Sequence, residues 1–198
     1  FLRVDQIARL INATVRGGCA VTRPGISMTL LTFDSPASQV WFEREIIQGM
    51  EFYSYGTGKL VAVVGGRPFL IDPILATAQD LTGDLQPNRR DIPQAWLQQA
   101  EQYFIVQDAQ NLPFIIEGTT IRRSTGPGGS PAEIPVGSAM AFGQGRLIVA
   151  SPDGTSFVCG DVTGGATSVL NFTDVQYLNE APAFSMPQQM GTIRGMTF

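Results

Sequence analysis

The stretch Lys59-Leu-Val-Ala-Val-Val-Gly-Gly-Arg-Pro-Phe-Leu-Ile-Asp72 decides the fold class, because it has the pattern of two β-strands joined by a tight turn. Its first half is a run of apolar, mostly β-branched residues, which favour strands. Gly65 and Gly66 can adopt the positive φ angles that a two-residue hairpin turn requires. Its second half closes on Phe69 and two further apolar residues. The stretch therefore predicts an antiparallel hairpin.

Two later stretches, Tyr103–Glu117 and Arg146–Cys159, repeat this pattern of apolar run, turn and closing Phe. The distance from Leu60 to Phe104 is 44 residues, and the distance from Phe104 to Leu147 is 43 residues. A period of about 40–50 residues in an all-β chain is typical of β-propellers, whose blades have about four strands each. The alternative is a β-sandwich in which similar hairpins recur by chance.

A second repeated pattern supports the propeller. Ile47-Gln-Gly-Met-Glu-Phe52 matches Ile193-Arg-Gly-Met-Thr-Phe198 at Ile, Gly, Met and Phe, and Ala139-Met-Ala-Phe142 repeats its core. Cys19 lies 41 residues before Leu60, so we expect a fourth, less regular unit to begin there.

These repeats predict one segment of an incomplete, larger propeller over residues 1–198. In this interpretation residues 1–46 form an N-terminal strap and a partial blade, and residues 47–198 form successive blades. The last blade is cut at Phe198, so apolar residues such as Met196 would be left bare unless later residues or another copy covered them.

Helices are predicted as minor insertions between strands. Ser35-Pro36 is a helix start signal for a short helix that ends near Glu45. The stretch Asp91–Ala100 also has an N-cap residue, an early Pro, and Trp96 and Ala100 on one helical face. The composition of Thr125–Ala132 predicts a loop.

Composition and charge exclude several classes of protein. Gly and Pro make up about 18% of the chain, against a typical share of about 12%, which favours short strands and tight turns. No apolar run approaches the ~20 residues of a membrane helix, so we expect no membrane insertion. The net charge is −4 and the basic residues are scattered, which disfavours sequence-specific DNA binding.

The residues for common catalytic chemistry are missing from the sequence. It contains no His, which excludes Ser-His-Asp and Cys-His mechanisms within the chain. Its one lysine, Lys59, follows no phosphate-binding loop. Cys19 and Cys159 lie 140 residues apart, unlike the ligands of a zinc site. We therefore predict no enzyme activity and no catalytic, cofactor-binding or metal-binding residue.

Acidic residues offer two alternatives to that prediction. Those that follow hairpin strands could form the paired carboxylates of a glycosidase: Asp72, Asp108, Glu117 and Asp161. Their recurrence at hairpin ends is more typical of turn capping. A calcium site could use three further acidic residues, Asp80, Asp84 and Asp91. They lack the dense spacing of a calcium-binding loop, so a solvated loop is the favoured interpretation.

The segment Asn12-Ala-Thr-Val-Arg-Gly-Gly-Cys-Ala-Val-Thr-Arg-Pro-Gly25 resembles an element near the start of tail nozzle and related head-to-tail closure proteins of tailed phages. In those proteins an Asn-containing segment leads to Gly-Gly and then to Arg-Pro-Gly. The segment Gly58–Asp72 is similar to the first blade that follows. The segments Ala100–Asp108 and Pro135–Leu147 resemble later blades of phage virion proteins.

The resemblance implies a structural virion protein of the phage tail with a β-propeller domain and no catalytic residues. It implies a homo-oligomeric ring of six copies that extends the DNA ejection conduit and contacts adaptor and fibre proteins. DNA would pass without sequence-specific binding, which suits an acidic chain because like charges repel phosphate. Two alternatives stay open: a head-completion plug, and a carbohydrate-binding or carbohydrate-active propeller in the tail.

Overall fold

The fold is taken from a computed structural model. It describes residues 29–173 and 191–197, and it describes the backbone of three further short strands at 13–16, 19–22 and 184–185. The chain divides into two compact units, Phe1–Leu30 and Leu31–Phe198. In the first unit, strands β1 (Ala13–Arg16) and β2 (Cys19–Thr22) form an antiparallel hairpin.

The fourth unit expected to begin at Cys19 stays a prediction, because Cys19 opens the second strand of this hairpin. The Arg23-Pro24-Gly25 part of the phage resemblance lies outside the described residues.

The second unit begins with a five-stranded sheet, the first sheet, in the order β3-β7-β6-β5-β4. Strand β3 is parallel to β7, and the other strand pairs are antiparallel. A helix, α1, connects β3 to β4. The elements are β3 (Thr32–Phe33), α1 (Pro36–Arg44), β4 (Ile47–Tyr53), β5 (Lys59–Val64), β6 (Arg67–Asp72) and β7 (Thr77–Asp80).

Two four-stranded antiparallel sheets follow, each with its strands in sequence order. The strands of the second sheet are β8 (Trp96–Ala100), β9 (Tyr103–Gln107), β10 (Phe114–Glu117) and β11 (Thr120–Arg123). The strands of the third sheet are β12 (Met140–Gly143), β13 (Arg146–Ala150), β14 (Ser156–Cys159) and β15 (Phe184–Ser185).

The three predicted hairpins are confirmed as β5-β6, β9-β10 and β13-β14. Each hairpin supplies two inner strands of a different sheet. Gly65 and Gly66 have φ angles of 54° and 83°, as the hairpin turn requires. The described chain is thus mainly β, as predicted, and the closed propeller stays a prediction.

The helix prediction for Asp91–Ala100 is wrong. Its second half is β8, in which Trp96 pairs with Gln107 and Ala100 pairs with Tyr103. Helical spacing of two apolar residues is a weak indication of a helix. Here the backbone hydrogen bonds between β8 and the buried strand β9 stabilise a strand instead.

The other helix prediction is confirmed. The Ser35 hydroxyl caps α1 by accepting a hydrogen bond from Ser38 N at 3.1 Å. The helix ends where Glu45 N donates to Trp41 O.

The second repeated pattern is confirmed in part. Its copy at Ile47–Phe52 lies in β4, and its copy at Ala139–Phe142 lies in β12 apart from Ala139. These are the first strands of the four-stranded meanders β4–β7 and β12–β15. Residues 193–197, which carry the third copy, belong to no strand in the described structure. The sequence match therefore extends further than the observed pairing.

The core lies between stacked sheets, because successive side chains of a strand face opposite sides. Phe104 and Val106 pack with residues of the first sheet, whereas Ile105 packs with residues of the third sheet. The second sheet is therefore covered on both faces.

Helix α1 covers the face of the first sheet that points away from the second sheet. Phe42 lies between Phe33 and Phe69, with ring centroids 5.2 Å from each. Trp41 Nε1 donates to Val64 O at 2.9 Å. These contacts bury β5 and β6 and leave β4 beyond the helix.

We call β4, β8 and β12 the first strands, because each begins the four-stranded antiparallel meander of its sheet. Strand β4 contacts β8, and β8 contacts β12. Gly49 allows the approach of β4 to β8, because a Cβ atom there would lie 2.8 Å from Ala95 O. Ala95 N also donates to Gln48 O at 2.9 Å. The sheets thus meet along their first strands.

Candidate functional site

The acidic residues considered for a glycosidase site cap turns. Asp72 Oδ1 accepts hydrogen bonds from Ile74 N and Leu75 N, each at 2.9 Å. Its other oxygen accepts from Lys59 Nζ, and this hydrogen bond is the main reason that the pKa of Asp72 is lowered. Asp72 is thus an ionised turn cap that ties together the ends of β5 and β6.

The remaining candidates do not join Asp72. Asp108 follows β9 and accepts from Gln110 N at 2.9 Å and from Asn111 N at 2.7 Å. Glu117 stands at the opposite end of the β9-β10 pair. Asp161 follows the third-sheet hairpin and accepts from Thr173 N. The structure spreads these four side chains over three sheets, so the arrangement favours turn capping over paired-carboxylate catalysis.

The acidic residues considered for calcium binding are also separated by their own partners. Asp80 pairs with Arg67 at 3.0 Å and accepts from Thr82 N at 2.8 Å. Asp91 pairs with Arg89, which lowers the pKa of Asp91. Asp84 is exposed on the connecting loop. Among the described residues, no three His, Cys, Asp or Glu side chains are grouped as metal ligands would be.

Cys159 is a half-buried thiol in β14. Burial raises the pKa of its thiol, which keeps it in the unreactive protonated form.

The polar side chains that form hydrogen bonds between the stacked sheets were not identified from the sequence. Tyr53, on β4, donates its hydroxyl hydrogen to Gln102 O at 2.8 Å and accepts from Gly118 N at 2.9 Å. These two partners are in the β8-β9 and β10-β11 turns of the second sheet. Burial raises the pKa of Tyr53, so the hydroxyl stays protonated and can donate. Tyr53 therefore ties the first sheet to two turns of the second.

Gln107 has the same role between the second and third sheets. Its side chain is fully buried, accepts from Gly137 N at 3.0 Å and donates to Pro135 O at 2.9 Å. The sequence signal was a polar residue at the end of the apolar run of β9. That signal alone did not reveal the two partners, which lie 28 and 30 residues later.

A third polar contact fixes the loop between the second and third sheets. Arg122 donates to both carboxylate oxygens of Glu133, at 2.7 and 2.6 Å. Burial of Glu133 would raise its pKa, but the hydrogen bonds from Arg122 and Thr125 outweigh burial and the pKa is lowered. Glu133 is thus an anion at neutral pH, and it anchors the loop to β11.

Several concave surfaces are present among the described residues, and two of them are considered for chemistry. A groove of about 540 Å³ runs beside α1 and is lined by Trp41, Arg44 and Arg90 among others. The Trp41 ring is held by the guanidinium groups of Arg67 and Arg90, at 3.9 and 4.7 Å from its centroid. A cavity of about 310 Å³ lies along β13 and β14 and is mostly apolar. Neither arrangement provides an acid–base pair.

One apolar surface is left open on the first sheet. Ile47, Met50 and Phe52 of β4 are 55%, 54% and 54% exposed. By strand register they lie opposite Val64, Ala62 and Leu60, which face α1. The three residues therefore lie on the α1 side of the sheet, and we call them the β4 face. Exposed apolar surfaces of this kind mark interaction sites.

No helix within the described part of the chain has the length and apolar character to cross a membrane. Comparisons with models of known protein families and with curated proteins found no significant match.

Proposed function

We propose that this chain is a structural module of a tailed-phage tail, built from propeller-type blades. In this role several copies form a ring, extend the conduit through which DNA leaves the particle, and contact adaptor and fibre proteins. The phage part of the proposal rests on the Asn12–Gly25 and Gly58–Asp72 resemblances.

The observation that carries the propeller part is the arrangement of the first strands. Each sheet contains a four-stranded antiparallel meander, and the first strands β4, β8 and β12 contact each other in order. Propeller blades have four strands and are arranged around a central channel. The order of these sheets along the chain is the order that successive blades would have.

A mechanical role is also supported by where the polar side chains are used. Tyr53 and Gln107 bond across sheet boundaries, and Asp72 closes a turn. Groups bonded in this way hold the sheets in fixed positions. The net charge of −4 also suits a conduit, because a negatively charged protein would repel DNA weakly and would not bind it.

Cryo-electron microscopy of the assembled protein and of the phage particle tests the proposal. We expect rings of six copies around a channel, at the end of the tail. The same ring at the head–tail junction would instead support the head-completion plug. A stable monomer whose sheets close on themselves would contradict both structural roles.

A further inference from the structure

The β4 face occupies a position that is filled elsewhere in the molecule. Strand β8 has a first strand on each side, β4 on one side and β12 on the other. Strand β4 has β8 on the side of Gly49, and on its other side it presents Met50 and Phe52 to solvent. The series of contacting first strands therefore stops at an apolar surface that would accept one more strand.

Helix α1 does not block this position. It packs on Val64, Phe69 and the other buried residues of β5 to β7. The β4 face lies beyond the helix and keeps more than half of its side-chain area exposed. A single strand can thus reach β4 while α1 stays in place.

The sequence contains a segment of the matching kind. Ile193-Arg-Gly-Met-Thr-Phe198 matches Ile47–Phe52, which forms β4, at four of its positions. Within the described structure residues 193–197 belong to no strand, although Ile193 N donates to Gly154 O at 2.8 Å. The described part of this segment therefore has the sequence of a first strand but is not a strand.

The segment cannot fill the β4 face of its own molecule in this arrangement. Its hydrogen bond to Gly154 holds it at the β13-β14 turn of the third sheet. The second sheet stands between the third sheet and the first, because its two faces pack against both. A second copy of the chain has no such restriction.

We propose that the β4 face binds the segment Ile193–Phe198 of a second copy of this chain. The bound segment extends the series of first strands across the boundary between two copies. Donor and acceptor are different surfaces, so the contact is head-to-tail and produces rings or open filaments rather than two-fold dimers. The inference rests on the ring of the proposed function and assigns the contact that builds it.

Disulfide trapping between two differently labelled copies tests this contact. All variants carry Cys19→Ser and Cys159→Ser, so that no native cysteine can react. Circular dichroism checks that this background protein folds. A Met50→Cys variant is then mixed with a Met196→Cys variant under mild oxidation. We expect a disulfide-linked dimer on a non-reducing gel. A matched control uses Leu75→Cys, at an apolar position that is 70% exposed on the β6-β7 turn, and we expect no dimer with it.

A charge at the acceptor site gives a second measurement. Met50→Asp/Phe52→Asp should lose the oligomer in light scattering, whereas Leu75→Asp should keep it. The folded state should survive in both variants, because the replaced side chains are more than half exposed.

The possible failures are distinguishable. An oligomer that forms normally with Met50→Asp/Phe52→Asp, and gives no Met50–Met196 disulfide, would contradict this contact and leave the ring intact. A chain that stays monomeric without any substitution would contradict both the contact and the ring.

Discussion

Single buried polar side chains join one sheet of this protein to the next. Tyr53 and Gln107 each satisfy backbone groups of turns or loops that have no strand partner at that point. Such a group costs free energy when it is buried without a hydrogen bond. Tyr53 and Gln107 therefore help to fix the positions of the three sheets relative to each other.

Replacement of Tyr53 by Phe should destabilise the protein by about 1–3 kcal/mol, because Gly118 N is left without its acceptor. The aromatic ring and its packing are kept. Urea unfolding monitored by fluorescence measures the change. Tyr55→Phe is the control, since Tyr55 stacks on Tyr53 but is 41% exposed, and we expect little change. Equal losses in both variants would show that the Tyr53 hydroxyl does not link the sheets.

Replacement of Gly66 by Ala should cost about 3 kcal/mol or more. The new Cβ atom would lie 2.0 Å from Asn88 O, and the residue has a φ of 83°. Gly56→Ala separates the two causes, because Gly56 has a similar φ of 58° and nothing within 4 Å of its Cβ position. The control should cost about 1 kcal/mol, from the backbone alone. Thermal unfolding of the two variants gives the comparison, and equal costs would exclude the Asn88 contact as the cause.

The elements show which signals in the sequence are local. The hairpins could be predicted, because strand-forming residues and the Gly65-Gly66 turn lie within one short stretch. Helix α1 could be predicted for the same reason, from Ser35 and Pro36. Strand β8 could not, because its conformation is set by pairing with β9 and by the approach of β4. The exposure of the β4 face could not be predicted from the sequence either, because it depends on how far α1 extends over the sheet.

The loop anchored by Glu133 should respond to acid. The pKa of Glu133 is lowered in the folded state, so its contribution to stability is complete above its unfolded-state pKa of about 4.3. That contribution is lost as the pH falls through the folded-state pKa. Glu133→Gln should lower stability by about 1–2 kcal/mol at neutral pH, because it removes the charged partner of Arg122.

Urea midpoints measured between about pH 7 and about pH 3 test this pH dependence. The difference between the unmodified protein and Glu133→Gln should shrink as the pH falls. A difference that stays constant over this range would show that the Glu133 charge is not responsible.

At the scale of the second unit, the three sheets form a stack in which the second sheet contacts the first and the third. Phe104 and Ile105 are adjacent in the chain but belong to different sheet boundaries. In a stack of this kind, stability is a sum of unit and nearest-neighbour terms, so damage at one boundary can remain local. The three hairpins could be predicted from the sequence repeat, whereas the strength of each sheet boundary depends on contacts between distant residues.

Two substitutions at adjacent positions separate the boundaries. Phe104→Ala should increase hydrogen exchange mainly in the first sheet, and Ile105→Ala should increase it mainly in the third sheet. Each should cost about 2–5 kcal/mol, because both side chains are fully buried. Mass spectrometry of peptic fragments locates the exchange. Identical exchange patterns in the two variants would contradict the stack and indicate one fully cooperative unit.

The parallel pairing of β3 with β7 has a consequence for biosynthesis. Strand β3 leaves the ribosome before every other strand of the first sheet, yet its partner is the last strand of that sheet to be made. Its hydrogen bonds must wait until β4, β5 and β6 have emerged, and the pairing then closes the segment into a loop. This closure can occur before β8 leaves the ribosome, since chains emerge from the N-terminus. The β3–β7 pairing thus marks the first point in translation at which a complete sheet with its own covering helix can fold and resist proteolysis, while the rest of the chain is still being made.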